Sequence, residues 1–449
     1  MADDPRWTRD FSLWWAMLVG AFLRVLPLAM WQSDPCVRDE CTYMHLAKNM
    51  VKGQGMTASE RGWLWAPGYP TLMAGHAKLT GFAESIVGTQ ILLFSAAILF
   101  GYLLARELAG PKAGRWAAWL LACSPTLVFF SGHLWSESIY TTLLLGALWT
   151  LGWARKGGIA RALLPGVLVG TCVLFRGVAT YMLPLFALGL LWARHKEPKA
   201  WLGAGALVLG AAAVVAPYAA YASARFGGLI LSDATLGQMM WLGNNDFAPV
   251  TFDYGVGPLH VTQYDAHTAA GRPHCDLELG VKAWDACETA NGKAWIAANP
   301  GEFIRRIPLR WAQLFNPNSF VTRHIRQGRW DLPAWIGEPI LWATWLWSFA
   351  AVLGGIVGAF GKARSWRLWV PLLIVGYHVA AIGLVAGLSR YRVPLDALFL
   401  VFTAALAADP KGTLQTLGAT RWRLVAATLL LLICTPLMTW FLLPGYLPK

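Results

Sequence analysis

Long apolar stretches recur along the chain and are separated by shorter polar connectors. A helix needs about 20 apolar residues to cross the hydrocarbon layer of a membrane. Together with the placement of charges, this length rule predicts about eleven membrane-spanning helices, near residues 11–31, 86–106, 116–131, 138–154, 163–175, 179–192, 202–221, 336–360, 368–388, 393–408 and 424–443. We therefore expect an all-α polytopic membrane protein.

Two long polar stretches interrupt this pattern. The first, residues 32–85, follows the first predicted helix, and the second, residues 222–335, is large enough to cover one face of the bundle. Apolar residues at helical spacing predict helices over 283–298 and 300–315, with Trp284, Trp295 and Trp311 as membrane-interface anchors. The chain thus divides into an N-terminal membrane module (1–221) with a first outer loop (32–85), an outer-face region (222–335) and C-terminal membrane helices (336–449).

The composition agrees with a membrane protein. Hydrophobic residues make up 56% of the chain, charged residues make up 14%, and there are 26 tryptophans, as expected for aromatic belts that contact membrane lipids. The net charge of +13 could suggest a nucleic-acid partner, but the lysines and arginines cluster in short connectors on alternate sides of the apolar segments. This positive-inside pattern argues against nucleic acid and predicts a cytoplasmic N-terminus.

The polar residues that could carry chemistry collect on the other, outer side of the predicted bundle. Charges at membrane depth are costly and usually functional. A carboxylate can act as a general base, and arginines can hold a phosphate and stabilise it as a leaving group. The candidates are Asp39, Glu40 and Tyr43 in the first outer loop, His133 and Glu137 in the next loop, Arg176 between two short segments, Asn244 and Asn245 at the start of the outer-face region, and Arg390 and Arg392 before the tenth segment.

Each candidate also has a purely structural interpretation. The acids could be solvated loop charges or helix N-caps. Arg390 and Arg392 could anchor to lipid headgroups, and His133 is more often a structural histidine than a ligand. Arg24 lies inside the first membrane segment, so we expect it to pair with an acid in the bundle or to reach outward to the interface.

The seven cysteines fall into two classes. Cys123, Cys172 and Cys434 lie in apolar segments, where cysteine acts as a small hydrophobic residue. Two close pairs, Cys36 with Cys41 and Cys275 with Cys287, fall in loops assigned to the outside and could be disulfides or free thiols. A metal site built from His274, Cys275 and Cys287 is a weaker third option, because the ligand spacing matches no known pattern.

Several short motifs occur in a consistent order along most of the chain. They are Asp39-Glu40-x-x-Tyr43, Ala66-Pro67-Gly68-Tyr69-Pro70, Ser136-Glu137, Leu174-Phe175-Arg176, Gly243-Asn244, Asn299-Pro300-x-x-Phe303 and Arg390-Tyr391-Arg392-Val393-Pro394. Each motif alone is weak, but the ordered set resembles membrane glycosyltransferases of the GT-C fold. The resemblance is to the bacterial branch akin to protein O-mannosyltransferases and to the aminoarabinose transferase of lipid A.

This resemblance implies a GT-C-like bundle in a bacterial inner membrane, with an active site that faces outward. It implies an inverting transferase whose donor is a polyprenyl-phosphate-linked sugar, with Asp39 as the general base and with Glu40 and Glu137 as secondary acids. By the same resemblance, Arg176, Arg390 and Arg392 bind the carrier phosphate, and Tyr43 and Asn244 line the substrate site. No cofactor is certain, and a divalent metal ion stays open. The chain has Trp65-Ala66-Pro67-Gly68 where the lipid A branch has a Lys-Pro-Pro run, so the acceptor, whether lipid, glycan or protein, also stays open.

Two other functions compete with a transferase. A transporter or flippase of a lipid-linked saccharide could use the same arginines, but it needs polar residues through the bundle. A noncatalytic assembly subunit would not need acids and arginines gathered on one face.

Overall fold

The computed structural model describes residues 5–29, 39–58, 64–248, 266, 269–270, 275, 278, 280–317, 320–326, 332–361, 366–385 and 387–439. Within these ranges the regular secondary structure is helical, apart from one isolated antiparallel bridge between Leu64 and Ala234. The expected all-α architecture is therefore confirmed for the described part of the chain.

Ten α-helices lie in the described part of the first half of the chain. They are α1 (Phe11–Ala29), α2 (Asp39–Val51), α3 (Gly68–Thr80), α4 (Ile86–Ala109), α5 (Pro111–Ala122), α6 (Pro125–Ser131), α7 (Glu137–Ala154), α8 (Ile159–Phe175), α9 (Leu183–Ala193) and α10 (Ala200–Phe226).

The second half forms nine more within the described residues. They are α11 (Leu236–Gly243), α12 (Val281–Ala298), α13 (Pro300–Phe315), α14 (Phe320–Arg326), α15 (Ala334–Gly361), α16 (Trp366–Leu384), α17 (Val393–Ala408), α18 (Pro410–Gly418) and α19 (Arg421–Thr439). Short 3-10 turns, Gly177–Met182 and Ser389–Arg392, lead into α9 and α17.

Each predicted apolar segment is helical over most of its described residues, although the predicted spans 116–131 and 138–154 are not among the membrane-length or shorter apolar helices that follow. Among the described residues, five helices are long and apolar enough to cross a membrane: Ala83–Ala109, Ala200–Phe226, Ala334–Gly361, Ser389–Ala408 and Arg421–Thr439. Four shorter apolar helices accompany them: Phe11–Leu26, Ile159–Phe175, Gly177–Ala193 and Leu368–Leu384.

The third predicted segment is two helices rather than one. The chain breaks between α5 and α6 because Pro125 has no N–H to donate and disfavours a helical conformation at Ser124. The break leaves the carbonyls of Leu121 and Ala122 without the helical partners that a continuous helix would supply. It also redirects the chain into the turn that precedes α7.

Arg24 satisfies these carbonyls, which corrects the expectation that it pairs with an acid or reaches outward. Its Nη1 donates to the oxygens of Gly20 (2.7 Å) and Ala122 (2.9 Å), and its Nη2 donates to the oxygen of Leu121 (3.0 Å). The guanidinium also lies 3.9 Å from the centre of the Phe94 ring. The arginine is fully buried, so its charge serves as a cap for a broken helix.

The centre of the bundle is packed through small residues. Helix α7 is buried along almost its whole length, between α4, α8 and α17. A methyl group at Gly166 or Gly170 of α8 would overlap the backbone of α10, and one at Gly358 of α15 would overlap the backbone of α17. Small residues at such crossings let helices approach closely, which is how membrane helices gain contact in the absence of a strong hydrophobic drive.

The two ends of the bundle differ in character. At one end, here called the basic end, Asp10 pairs with Arg115 and Tyr102, near the connectors that carry Arg155 and Lys411. The opposite end, here called the capped end, is covered by α2, α3 and α11–α14. Helix α4 runs from one end to the other, since Gln90 donates to the backbone of the turn before α7 while Tyr102 and Arg106 meet at the basic end.

The helices of the capped end are held to the bundle by specific bonds, and two of the three expected interface anchors have another role. Trp284 is buried, 1% exposed, and packs against Cys275. Trp311 donates from Nε1 to the oxygen of Val379 in α16 (2.9 Å). Trp295 donates to Asp246 at the surface (2.7 Å).

One of the two candidate disulfides is formed. Cys275 and Cys287 are joined, with their Cα atoms 5.9 Å apart, so these thiols are not metal ligands, and His274 lies outside the described residues. Cys36 also lies outside the described residues, so its pairing with Cys41 stays a prediction. Cys123, Cys172 and Cys434 are free thiols in apolar surroundings, as expected.

We predict that Arg24→Ala destabilises the protein. Removal of the guanidinium leaves buried carbonyls unpaired, which costs on the order of 2–4 kcal/mol. Thermal unfolding of the detergent-solubilised protein should show a clearly lower midpoint. Arg161→Ala, which removes an exposed arginine at the start of α8, is the matched control and should change the midpoint little; equal effects of the two substitutions would contradict the capping role.

Candidate functional site

Asp39 is the first residue of α2, at the capped end of the bundle. Its position in the first turn places the carboxylate near the positive end of the helix dipole. The structural interpretation of Asp39 as an acid at a helix N-terminus therefore agrees with its position. Asp39 also has a specific partner, because its Oδ2 lies 2.5 Å from Nη1 of Arg390. Its side chain stays 25% exposed, so it is reachable from the space beside the turn.

Glu40, the next residue, is buried and has a different environment. Its Oε1 accepts the backbone N–H of Leu134 (3.0 Å) and lies 3.1 Å from Nδ1 of His133. These contacts fix the turn that precedes α7. His133 stacks among Phe129 and Trp135, which agrees with a structural rather than a ligating histidine. The two neighbouring acids therefore separate into an accessible one and a structural one.

Glu137 begins α7 and faces both arginines. Its Oε1 lies 2.7 Å from Nη1 of Arg176 and 3.7 Å from Nε of Arg390. Since Arg390 also contacts Asp39, the four side chains alternate in sign in the order Asp39, Arg390, Glu137, Arg176; we call them the acid–arginine chain. Alternation lets each buried charge face an opposite one, which is required where little water is present.

Both arginines are placed by turns. Arg176 has an extended backbone, which ends α8 and starts the 3-10 turn Gly177–Met182. Arg390 lies on the 3-10 turn that leads into α17. The Tyr391 ring lies between them, with its centre 5.5 Å from the Cζ atom of each guanidinium. A shared aromatic face favours two neighbouring cations that would otherwise repel.

The electrostatics of the site keep its arginines charged. Burial, the largest single influence, lowers the pKa of Arg176, but Glu137, Tyr43 and Tyr391 together raise it by more, so its pKa lies above the usual range. Burial and the charges of Glu137 and Asp39 raise the pKa of Tyr43 well above its usual value. Tyr43 therefore stays neutral and offers a hydroxyl rather than a phenolate, in a hydrogen bond with Ser136.

Tyr43 forms part of an aromatic wall beside the acid–arginine chain. Its ring meets Trp65 and Tyr69 edge to face, at centroid distances of 5.4 Å and 4.9 Å. Tyr69 in turn donates to Oε1 of Gln90 (2.9 Å). The wall belongs to α2, α3 and the segment before α3, so it ties the predicted first outer loop to the bundle.

Asn244 does not join the acid–arginine chain, which corrects the expectation of a substrate contact. It is fully buried, and its Nδ2 donates to the oxygens of Met240 (2.8 Å) and Leu384 (3.0 Å). Its Oδ1 accepts from Nη2 of Arg310 (2.9 Å). Asn244 thus fastens α11 to α13 and to the end of α16.

Arg392 is likewise a structural residue. It is fully buried, its Nε donates to Oδ1 of Asp396 (2.8 Å), and its Nη1 donates to the oxygen of Phe315 (2.5 Å). Its Nη2 donates to Oγ of Ser348 (3.1 Å). Arg392 therefore caps the end of α13 and is neither a phosphate ligand nor a headgroup anchor, although it lies only two residues from Arg390.

Two site residues were not identified from the sequence as candidates. Tyr391 was quoted only as part of a motif, and Trp135 lies beside Glu137 with its ring centre 5.9 Å from Cζ of Arg390. Neither has a sequence signal of its own in a chain with 26 tryptophans and 12 tyrosines. Only their placement between charged side chains distinguishes them.

The described side chains of the site do not by themselves form a donor set for a divalent metal ion. In the part of the chain that the structure describes, no group of three or more His, Cys, Asp or Glu side chains is arranged to hold one. The two carboxylates that face each other, Asp39 and Glu137, are bridged by Arg390.

Comparison with known proteins identifies the architecture. Residues 65–220 match the family described as dolichyl-phosphate-mannose-protein mannosyltransferase. The archaeal oligosaccharyltransferase AglB from Archaeoglobus fulgidus, solved with an inhibitory peptide and a dolichol-phosphate, is 16% identical, with 96% of this chain and 55% of that chain covered and a TM-score of 0.53.

A second structure of the A. fulgidus oligosaccharyltransferase, tethered to an acceptor peptide, is 17% identical, with coverages of 96% and 54% and a TM-score of 0.55. This chain has the GT-C fold. It spans about half the length of the oligosaccharyltransferase, and at these identities the likeness concerns the fold alone.

ArnT from Cupriavidus metallidurans, bound to undecaprenyl phosphate, is 12% identical, with 90% of this chain and 79% of that chain covered. Its TM-score of 0.42 is too low to support a comparison. No curated protein sequence matches the chain.

We predict that Arg390 and Arg392 differ in their contribution to stability. Arg392→Ala leaves Asp396 buried without its partner and should cost about 3–5 kcal/mol. Arg390→Ala leaves Asp39 partly exposed and Glu137 still paired with Arg176, so about 1 kcal/mol is expected. Thermal unfolding in detergent measures both; an Arg390→Ala loss as large as that of Arg392→Ala would contradict the division between the two arginines.

Proposed function

We propose that this chain is an inverting glycosyltransferase that moves a sugar from a polyprenyl-phosphate carrier to a hydroxyl or amine acceptor. The observation that carries the proposal is the acid–arginine chain at the capped end of the bundle, in which the accessible carboxylate of Asp39 pairs with Arg390 and Glu137 joins Arg390 to Arg176. The match of residues 65–220 to a mannosyltransferase family and the shared fold with an oligosaccharyltransferase solved with dolichol-phosphate support it.

The proposed reaction is a single displacement. Asp39 takes the proton of the acceptor hydroxyl or amine as the acceptor atom forms a bond to the anomeric carbon. The bond between that carbon and the phosphate oxygen breaks, and the lipid phosphate leaves with the electron pair. Because attack and departure occur on opposite faces of the anomeric carbon, the configuration inverts.

The arginines would bind the leaving phosphate. Arg390 and Arg176 carry the donors that a phosphate monoester or diester prefers, and their distance from bulk water strengthens each contact. In the free protein Arg390 is paired with Asp39. A bound phosphate competes for the same guanidinium, so donor binding would free Asp39 to act as a base. Glu137 would then hold both arginines toward the phosphate.

The position of the basic connectors supports an outward-facing site. The arginines and lysines of the basic end lie opposite the acid–arginine chain, and basic connectors mark the cytoplasmic side of membrane proteins. The site would therefore face the periplasm or the cell exterior, with the N-terminus in the cytoplasm and the protein in a bacterial inner membrane. Such a site receives lipid-linked donors and needs no nucleotide-sugar pocket.

Transfer is favoured over transport by the interior of the bundle. The buried hydroxyls of Thr141 and Thr150 in α7 donate to backbone oxygens of their own helix. A transport route would need polar groups directed toward a path between the helices. In the described part of the bundle the acids and arginines of the site are gathered at one end instead.

We predict that Asp39→Asn slows transfer by orders of magnitude without loss of donor binding. A general base contributes about 10²–10⁴-fold in rate, and the amide cannot take a proton. In a deletion strain, mass spectrometry should show accumulated lipid-linked sugar that wild-type protein removes and Asp39→Asn does not. The purified variant should still bind undecaprenyl phosphate.

Asp409→Asn is the matched control. Asp409 lies at the basic end, where it caps a helix by accepting a hydrogen bond from Gly412 N (3.0 Å). This variant should restore the wild-type lipid profile. Normal turnover by Asp39→Asn would show that Asp39 is not the base. Deletion without any change in lipid-linked sugars would contradict the transferase itself.

Topology gives an independent prediction. A cysteine at the exposed Gln54 should react with an impermeant thiol reagent added outside spheroplasts, and one at the exposed Lys411 only after permeabilisation. The physical reason is the placement of the two positions near opposite ends of the bundle. The reverse labelling pattern would place the acid–arginine chain on the cytoplasmic side and would contradict the proposed donor.

A further inference from the structure

Asp233 is an acid of the capped end that neither the motifs nor the proposed reaction uses. It lies between α10 and α11, in a short connecting segment, residues 232–235, which we call the junction segment. It is partly buried. Its carboxylate accepts the backbone N–H of Gly177 and the hydroxyl of Thr235 (3.2 Å). Gly177 directly follows Arg176, so Asp233 contacts the turn that carries a site arginine.

Asp233 approaches the backbone of this turn so closely that no side chain fits between them at position 177. A methyl group built at Gly177 would overlap the Asp233 carboxylate. One residue earlier, Ser232 donates from Oγ to the oxygen of Val173 in the last turn of α8 (2.5 Å). The junction segment therefore supplies an acceptor to the turn after α8 and a donor to the end of α8, on either side of Arg176.

The junction segment also connects the other parts of the capped end. Ala234 and Leu64 exchange two backbone hydrogen bonds (2.9 Å and 3.3 Å), which join it to the segment before α3. Gly237, at the start of α11, donates to Oδ1 of Asp285 in α12 (2.8 Å). Asp233 thus lies where the predicted first outer loop, the capping helices and the Arg176 turn meet.

We propose that Asp233 is a positioning residue that holds the Arg176 turn so that the guanidinium faces Glu137 and the donor phosphate. This inference rests on the proposed function, because it assigns Asp233 a role in binding the anionic headgroup of the donor. Arg176 reaches Glu137 from an extended backbone just past the end of α8, where its own N–H still donates to the oxygen of Cys172 (2.9 Å). A charged acceptor on the next N–H restricts that backbone and so restricts where the guanidinium can lie.

The groups that face Asp233 give the contact a pH dependence. Burial and the charge of Asp285 raise the pKa of Asp233, whereas Arg176 and the hydrogen bonds from Thr235 and Gly177 lower it. The raising influences are larger, and the pKa of Asp233 is about 6. Tyr218 of α10 also faces it, and Lys282 is paired with Asp285 (3.5 Å). Above pH 6 the carboxylate is ionised and accepts strongly; below pH 6 it becomes neutral and the Gly177 bond weakens.

The test measures binding of undecaprenyl phosphate to the purified full-length protein between pH 5 and pH 8. Asp233→Ala removes the acceptor and should weaken binding about fivefold to tenfold at pH 7.5. Asp233→Asn keeps a neutral acceptor and should bind better than Asp233→Ala. When the pH is lowered through 6, the affinity of the wild-type protein should fall more than the affinity of Asp233→Asn. In that variant residue 233 does not titrate, so only the lipid phosphate and other groups contribute to the pH dependence.

Two further variants separate positioning from a general effect on folding. Gly177→Ala should weaken binding in the wild-type background but not further in an Asp233→Ala background, because removal of the carboxylate relieves the overlap. Ser232→Ala removes a neighbouring hydrogen bond without changing charge, and should keep the pH dependence of the wild type even if the unfolding temperature falls.

The outcomes distinguish this inference from the function on which it rests. Wild-type protein that fails to bind undecaprenyl phosphate would overturn both. Wild-type binding with unchanged affinity in Asp233→Ala, or an identical pH dependence in wild type and Asp233→Asn, would overturn the role of Asp233 alone.

Discussion

The site depends on charge pairing in surroundings that contain little water. A carboxylate buried without a partner is so costly that it would take up a proton or move toward solvent. Glu137 is 2% exposed and persists because Arg176 and Arg390 face it, while Asp39 balances the other side of Arg390. The same pairing makes the site adaptable, because an anionic ligand can replace a carboxylate as the partner of an arginine without leaving any charge alone.

The positions of these charges are set by departures from helical geometry. Asp39 and Glu137 are the first residues of α2 and α7, and Arg176 and Arg390 lie on non-helical or 3-10 turns. A side chain inside a membrane helix faces lipid or a neighbouring helix, whereas a side chain at a helix end can face a space between elements. Glu40, Asn244, Arg310 and Asp233 hold these ends together through backbone contacts.

Arginines have two distinct tasks in this bundle. Arg24 and Arg392 satisfy backbone carbonyls left open by helix ends, and both are fully buried. Arg176 and Arg390 bond to no carbonyl of a described helix end in this way; they pair with Glu137 and Asp39 and share the ring of Tyr391. Arg390 and Arg392 belong to one turn and differ by two positions, yet one faces the site and the other faces the protein interior. Neither the residue type nor the neighbouring sequence distinguishes an arginine that caps a helix end from one that faces the site.

The sequence by itself determined the helical membrane architecture and most of the site, because apolar length and helix-breaking residues are local properties. The predicted spans are helical over most of their described residues, and the candidate residues Asp39, Glu137, Arg176 and Arg390 lie in contact with one another in sequence-distant pairs. The tertiary structure alone decided the split at Pro125, the buried roles of Trp284, Asn244 and Arg392, and the contact between Asp233 and Gly177. These features depend on which backbone groups lack partners after the helices pack, and that is known only when residues far apart in sequence, such as Arg24 and Ala122, are brought into contact.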